Sequence, residues 1–406
     1  MTRFAPTNLD ELRDMVAEAL AAGEPLELIA GGSKRGFGRP LQLPRTLDLS
    51  RLSGIREYQP SELVLTAGAA TPLAEVEKAL AENRQMLAFE PPDWDGIYGL
   101  AEADAGKRTL GGVLAANLSG PRRLKAGAAR DHFLGFRGVS GRGEAFKAGG
   151  KVVKNVTGYD LPKLLAGSFG TLAALEEVSV KLLPRPETAV TLLLLGLEPE
   201  IAVRRFAAAL AAPWEVSAAA YLPAQLTAES GLSSLPAVAA LRLEGPAPSV
   251  AFRRERLLAE LGQGGESGVL DGDASDAFWR AIGNARPLAR PAEPALWRIS
   301  AAPARGAGLA MRLARECEAR WYLDWGGGLV WAAVAGAEDG GAARIRAALR
   351  EHGGGHATLV RGPAGLRRAV PVFEPQPPAL AALAARVKAG FDPNGILNPG
   401  RMVEGV

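Results

Sequence analysis

Two glycine-rich stretches carry the residue types from which a phosphate-bearing ligand could be gripped. The longer runs from Thr109 to Pro184 and is densest at Lys154-Asn155-Val156-Thr157-Gly158-Tyr159-Asp160-Leu161 and at Gly167-Ser168-Phe169-Gly170-Thr171-Leu172. Gly111, Gly112, Ala115, Ala116, Gly120, Gly127, Gly158, Gly167 and Gly170 recur through it, and missing or minimal side chains let backbone approach a ligand closely. Asn117, Ser119, Asn155, Thr157, Ser168 and Thr171 add the short amide and hydroxyl groups that suit a diphosphate and a heteroaromatic ring. The shorter stretch is Gly31-Gly32-Ser33-Lys34-Arg35-Gly36-Phe37-Gly38. Its successive amides can close into a concave nest of N–H donors, with a hydroxyl from Ser33 and a charge from Lys34. The spacing is not that of a Walker loop. A strand, Thr46-Leu47-Asp48-Leu49, follows where a GxGxxG fingerprint would open a helix. Taken singly, each stretch fits a turn or close strand packing as well as a ligand. Two of them about eighty residues apart, both at strand-to-loop junctions, are harder to explain without one.

The elements that must position these loops follow from periodicity. Asn8 caps a helix to about Ala21 with Leu9, Leu12, Val16 and Leu20 on one face, and a strand over Pro25–Ala30 feeds the first glycine loop. A strand at 63–69, a helix from Pro72 to about Glu82 and a proline-fixed loop at Phe89–Trp94 lead into the longer stretch, which closes in an alternating strand from Leu175 stopped by Pro184. Pro184-Arg185-Pro186 is a stiff break. Beyond it the pattern predicts strand 188–197, helix 199–212, strands 215–222 and 237–244, helix 248–261 and a short helix with Phe278 and Trp279. It recurs as strand 295–301, helix 305–320, strand 328–335, helix 341–352 and strand 356–361. Strands alternating with amphipathic helices predict an α+β domain with helices on one face of an antiparallel sheet, and the two halves suggest a repeated split βαβ unit. Gly262–Gly272 reads as a mobile connection and Pro371–Pro378 as a linker before a helix at 378–389. The expected domains are 1–185, 186–370 and a C-terminal segment, 371–406.

Composition narrows the function. The chain has 406 residues, 48% of them hydrophobic, with 47 Lys+Arg against 44 Asp+Glu. That length supports a core without metal or disulfide staples, and a charge of +3 makes no case for nucleic acid. The single cysteine, Cys317, excludes an internal disulfide and an all-cysteine iron–sulfur cluster within this sequence. Together with a start lacking a signal-peptide apolar region, it points to a reducing cytoplasmic compartment. The longest apolar run, Ala189–Leu197, is about half of the ~20 residues a membrane helix needs, so membrane contact is expected only peripherally, through a partner.

The order of motifs resembles the vanillyl-alcohol oxidase, or PCMH-type, family of FAD-binding flavoproteins. It comprises Ile29-Ala30-Gly31-Gly32-Ser33-Lys34 to Gly38, Thr109-Leu110-Gly111-Gly112 to Asn117, Gly127 with Arg130-Asp131, Gly158-Tyr159-Asp160-Leu161 to Leu172, and Phe391-Asp392-Pro393-Asn394-Gly395-Ile396-Leu397-Asn398-Pro399-Gly400-Arg401. Lys154 to Asp160 and the short length are most similar to the FAD-binding accessory subunits of bacterial glycolate oxidases. The resemblance spans residues 1 to about 185 and the last 30 residues, and the middle only loosely. It implies a two-lobed FAD-binding domain followed by a ferredoxin-like α/β-sandwich cap, with the C-terminal segment returning to the first domain. It also implies that Gly31, Gly32, Ser33, Lys34, Gly111 and Gly112 grip the FAD diphosphate, that Gly127 to Asp131 line the cofactor, and that Leu175 presents backbone to adenine. Asn398 and Arg401 would lie nearest the flavin. The sequence departs from the family at Ala173, where glycine is common, and has no histidine in the first glycine loop, so FAD is expected to be non-covalent.

Oxidation of a 2-hydroxy acid needs a cation for the carboxylate, a base for the hydroxyl proton and a hydride acceptor. Arg298 and Arg361 sit at strand positions where an inward side chain could meet a carboxylate, although for each taken singly a solvent-facing arginine is the better reading. Only His132, His352 and His356 are available as histidines. Three glycines between His352 and His356 break the helix that would pair them on a metal, so no metal site is expected and His356 remains a candidate base. Trp325 and Trp331 could roof a flavin or fill a core, and Pro121–Lys125 reads as a solvated turn. Three functions remain open. One is a redox subunit taking electrons from glycolate or D-lactate to an iron–sulfur partner, beside a larger FAD-containing catalytic subunit. The others are a scaffold with structural FAD and a free-standing oxidase.

Overall fold

A computed structural model describes residues 2–100, 106–150, 158–232, 235–262, 265–289 and 295–404. Lys154, Asn155 and Thr157 lie outside the described residues. The chain opens with β1 (Thr2–Phe4), α1 (Leu9–Ala22), β2 (Leu26–Ile29) and β3 (Arg45–Asp48), a small parallel sheet in the order β1-β3-β2. The Asn8 side chain accepts from the Glu11 amide, and Gly23 ends α1 at φ 65°. Leu12, Val16 and Ala19 face inward, as the 3.6-residue spacing predicts. The C-terminal segment extends this sheet: Leu397 bridges Leu26 in parallel.

A second lobe is antiparallel. β4 (Ile55–Gln59), β5 (Val64–Gly68), β6 (Phe133–Ser140), β7 (Ala145–Gly149) and β8 (Ala173–Lys181) run in the order β4-β5-β8-β6-β7. α2 (Leu73–Glu82) buries Leu73, Val76 and Leu80, and a short helix, α3 (Leu110–Ala115), reaches the junction of the two lobes.

From Thr188 onward the chain forms one eight-stranded antiparallel sheet. Its strands are β9 (Thr188–Leu195), β10 (Ala218–Leu222), β11 (Val238–Gly245), β12 (Ser267–Asp271), β13 (Ala295–Ser300), β14 (Arg320–Asp324), β15 (Leu329–Val334) and β16 (His356–Arg361). The order β12-β9-β11-β10-β14-β15-β13-β16 is a split βαβ unit, strand order 4-1-3-2, joined at β10 and β14 to a second copy of itself. The helices α4 (Pro199–Ala211), α5 (Ala247–Leu261), α6 (Gly272–Gly283), α7 (Pro303–Cys317) and α8 (Ala342–Glu351) complete the two units.

Two predicted features change. The connection at Gly262–Gly272 contains the edge strand β12, paired along β9, because backbone pairing orders a segment that has few apolar side chains. β14 was hidden at the end of the helix predicted over 305–320. α7 stops at Cys317 because Glu318 adopts a left-handed φ of 50°, and Trp321, Tyr322 and Leu323 then pack as a strand. The Pro371–Pro378 linker is anchored at its start, where Val372 is buried and its carbonyl accepts from the Leu359 amide. Among the described residues no helix is long and apolar enough to cross a membrane.

The inner face of the large sheet shares one core with the first domain, and a buried ionic network crosses the same boundary. Arg242 of β11, 1% exposed, donates to both Glu90 oxygens at 2.8 and 3.0 Å. Arg122 pairs with Glu244 through two bonds of 3.0 and 2.7 Å and lies 3.1 Å from Glu90, whose carboxylate also accepts from the Arg122 amide at 2.5 Å. Burial alone would raise both carboxylates. Arg242 and Arg122 instead hold Glu90 below its usual range and Glu244 at about 2. The Pro121–Lys125 segment is therefore an interdomain contact, with Lys125 also paired to Glu215, rather than a solvated turn. Removing one partner leaves an uncompensated buried charge. Arg242→Ala is expected to cost about 3–5 kcal/mol, read as a lowered urea midpoint.

Candidate functional site: a diphosphate cleft between the two lobes

The first glycine loop, α3, the 168–170 turn and the C-terminal segment line one cleft with about 990 Å³ of open space, mouth included. β2 delivers the loop directly. The amides of Gly31, Gly32, Ser33 and Lys34 donate to no acceptor among the described residues, while the carbonyls of Gly32 and Lys34 close turns with Arg35 and Phe37. Gly32 takes φ 74°, which lets successive N–H groups face one side. Lys34 Nζ lies 3.4 Å from Ser33 Oγ and, among the described residues, has no carboxylate at ion-pair distance. Burial, helped by Arg108, lowers its pKa to about 8. Four amides without acceptors among the described residues, and an ammonium whose one described hydrogen-bond partner is Ser33 Oγ, can receive a doubly charged anion.

The neighbouring glycines do two different jobs. A Cβ on Gly31 would fall 1.6 Å from the Lys107 carbonyl oxygen, and one on Gly111 would fall 2.6 Å from that of Ala69, so both are needed for backbone packing alone. On Gly112 it would meet Thr109 Oγ1 at 2.9 Å and point toward Lys34 Nζ, 3.8 Å away. The first-turn amides of α3 are already used: Leu110, Gly111, Gly112 and Val113 donate to Thr71 O, Ala69 O, Thr109 Oγ1 and Thr109 O. This segment supplies a smooth wall rather than donors.

The C-terminal segment sets the loop's shape. Asn398 Oδ1 accepts from the Leu28 amide at 2.8 Å, and its Nδ2 donates to Phe169 O at 2.8 Å. Arg401 donates to Lys34 O at 2.9 Å and Arg39 O at 3.2 Å. Gly38, at φ 91°, leaves room for that guanidinium, since a Cβ would meet Arg401 Nε at 3.0 Å. Asn398 and Arg401 line the cleft, but their polar atoms hold protein backbone.

Of the remaining expected cofactor residues, Thr109, Ser168, Gly170 and Leu175 also line the cleft, as does the departure at Ala173. Gly38, Asn117, Gly127, Arg130, Asp131, Gly158 and Gly167 do not. Asn117 Oδ1 accepts from the Arg130 amide, and Asp131 caps the turn through the Ala128 amide beside Gly127 at φ 85°. Gly167 at φ 85° turns the chain so that its amide meets Leu114 O, and Gly158 lies in an exposed turn. Gly158 apart, these residues brace the wall from behind. Sequence reasoning missed Ala69, Ala70, Leu165 and Phe169 as lining residues. The small pair ending β5 was the available signal.

The catalytic candidates separate. Arg361 donates to the carbonyls of Ile97, Ala289 and Leu288, which makes it a structural tie. His356 is exposed at the start of β16, and His352 Nδ1 lies 2.8 Å from Ala348 O. Among the described residues no group of His, Cys, Asp or Glu could hold a metal. Trp331 packs edge-on to Trp94 at 5.7 Å and Trp325 donates to Gly120 O at 3.1 Å, so both fill the interdomain core and neither lines the cleft. The Arg298 side chain makes no hydrogen bond to another described residue. It lies over the Trp325 ring at 4.8 Å, a ring also covered by Arg123 at 4.3 Å. Burial and then Arg123 lower Arg298 to about 10, while burial lifts neighbouring Asp324 to about 7.

A two-lobed domain with a cleft between the lobes and a double split-βαβ cap is the architecture of a PCMH-type FAD-binding protein. Residues 3–149 match the family described as FAD binding domain. The fold is that of p-cresol methylhydroxylase, with a TM-score of 0.73 at 14% identity over 99% of this chain and 88% of that one. Glycolate oxidase subunit GlcE of Escherichia coli is 36% identical over 96% of both chains. Subunit GlcD of the Bacillus subtilis glycolate oxidase is 32% identical over 47% of this chain and 39% of its own length. The chain belongs to the family of glycolate oxidase subunit GlcE.

The residues fit FAD: the free amides and Lys34 suit its diphosphate, and no histidine, cysteine or tyrosine is among the cleft's lining residues. Gly112→Val is expected to abolish flavin retention with unchanged far-UV circular dichroism. A diphosphate favours protonated Lys34, so FAD affinity should be flat below about pH 8 and fall as pH rises beyond it. Lys34→Met should weaken binding and remove that fall, both read by flavin fluorescence titration.

Proposed function

We propose that the chain is the FAD-carrying subunit of an assembly that oxidises glycolate, or D-lactate, to the 2-oxo acid and passes electrons to an iron–sulfur partner. The carrying observation is the set of four amides, without acceptors among the described residues, beside Lys34. The 36% identity to a glycolate oxidase subunit supports the substrate class. FAD bound there supplies a two-electron acceptor. Gly31 to Lys34 neutralise and fix its diphosphate, and Gly112 and Ala116 give it a smooth wall. Arg298, with Arg123 beside it, offers a guanidinium that has no hydrogen-bond partner among the described residues to the acid's carboxylate, and Asp324 can exchange a proton near neutral pH. A cluster has to come from elsewhere because Cys317 is the single cysteine of this sequence. A cytoplasmic location, peripheral to the inner membrane through partners, follows from that assembly.

A second reading has support of its own. Phe37, Phe169 and Phe373 pack at 5.0–6.0 Å beside Phe169's wall of the cleft, with Trp94 5.5 Å from Phe37. Such packing suits a structural FAD in a scaffold subunit whose larger FAD-containing partner does the chemistry. Anaerobic addition of glycolate to the purified chain separates the two. Bleaching of the yellow flavin is the expected outcome, and Arg298→Gln should raise the glycolate concentration for half-bleaching at least about tenfold with flavin content unchanged. A flavin that stays yellow with glycolate and D-lactate but bleaches with dithionite would favour the scaffold. Glycolate-dependent oxygen uptake by the isolated chain would point instead to a free-standing oxidase.

A further inference from the structure

Trp325 is held as a platform between the two domains. Its backbone sits at φ 51°, a left-handed conformation that bulky side chains rarely adopt, in the turn from β14 to β15. Its indole N–H donates to the Gly120 carbonyl at 3.1 Å, which ties a residue of the large sheet to the first domain. Two guanidiniums lie over this one ring, and they come from different domains. Arg123, three residues beyond Gly120, lies at 4.3 Å and Arg298 of β13 at 4.8 Å.

Among the described residues neither guanidinium makes a hydrogen bond or has a carboxylate at ion-pair distance. Their neighbours are better supplied. In the same short run Arg122 pairs with Glu90 and Glu244, and Lys125 pairs with Glu215. On the same face of the sheet as Arg298, Arg242 pairs with Glu90. The carboxylates whose charge reaches Arg123 and Arg298 are used elsewhere. Asp131 accepts from the Ala128 amide and lies 3.6 Å from Arg130, and Asp324 accepts from the Trp325 amide at 2.7 Å. An indole face attracts each cation but neutralises neither, and two like charges held together repel. A single carboxylate would pair with one guanidinium and leave the other bare. An anion with two carboxylates pairs with both, and the two ring distances keep the guanidiniums within the span of a short dicarboxylic acid. Both residues stay partly exposed, as a site filled from solvent requires.

We propose that Arg123 is the second arm of the substrate site, so that the acid this chain binds best is a 2-hydroxy acid carrying a second carboxylate. Arg298 takes one carboxylate and Arg123 the other, with Trp325 setting the distance between them. The inference rests on the role given to Arg298 above, and glycolate and D-lactate then fill only half of the site. The flavin-loaded chain is titrated by calorimetry at constant ionic strength with succinate and glutarate, which carry two carboxylates and no hydroxyl to oxidise, and with acetate and propionate, which carry one. The dicarboxylates are expected to bind at concentrations at least about tenfold below the monocarboxylates. Arg123→Gln is expected to erase that difference, Arg123→Lys to keep part of it, and Arg298→Gln to weaken binding of all four acids, with flavin absorbance and circular dichroism unchanged in each. Equal affinity of the wild type for both kinds of acid, still weakened by Arg298→Gln, would overturn the second arm and leave the role of Arg298 standing. A dicarboxylate preference that survives Arg123→Gln would overturn the assignment to Arg123. Binding of none of the four acids would overturn both roles.

Discussion

Four consecutive amides without acceptors among the described residues, Gly31 to Lys34, are an unstable thing to build, because each unsatisfied N–H costs about 1–3 kcal/mol when water is kept from it. A loop free to move would turn those donors onto nearby carbonyls. It is prevented from doing so from both sides. β2 fixes its start, Arg401 holds the Lys34 and Arg39 carbonyls, and Gly38 gives that guanidinium its space. Asn398 fastens the same C-terminal segment to Leu28 and to Phe169 across the cleft. Lys388 and Asp392 lock the turn that brings Asn398 into place. The last residues of the chain thus complete a site begun near its first.

The cap is coupled to that site through charge as well as apolar packing. Glu90, Arg122, Arg242 and Glu244 satisfy one another across the boundary, and Trp325 reaches from the large sheet to the Gly120 carbonyl, four residues beyond the cleft-lining Ala116. This fixes the sheet's inner face, with Arg298 and Asp324 on it, against the segment that leaves the cleft wall. Among the described residues the Arg298 guanidinium has no hydrogen-bond partner and no carboxylate at ion-pair distance. An aromatic ring and a second arginine are a poor substitute for a carboxylate unless a ligand supplies one.

Much of this was legible in the sequence because it is local. The glycine loops, the helix patterns and the Phe391–Arg401 motif announce themselves by composition and spacing, and the repeated split βαβ order was visible in the alternation of elements. What stayed hidden depends on distance in the chain or on one backbone angle. Glu90 and Arg242 are 152 positions apart, and nothing local marks a glutamate before two prolines as the centre of an interdomain network. β14 vanished behind a helix that ends at a left-handed glutamate rather than at a glycine or proline. Asn117, Arg130 and Asp131 have the chemistry of ligand contacts but brace the turn behind the wall. Gly31 and Gly111 would be glycines with or without a ligand.

Competition for FAD between ADP and adenosine is the most direct measurement of whether the loop amides and Lys34 hold a diphosphate. The purified chain is stripped of flavin, reloaded with FAD, and titrated with each competitor while flavin fluorescence is followed. Displacement by ADP at concentrations at least about tenfold below those needed for adenosine is the expected result, since only ADP brings the charge that the cradle is built for. Equal potency of the two, or displacement by neither, would contradict a diphosphate cradle at Gly31–Lys34.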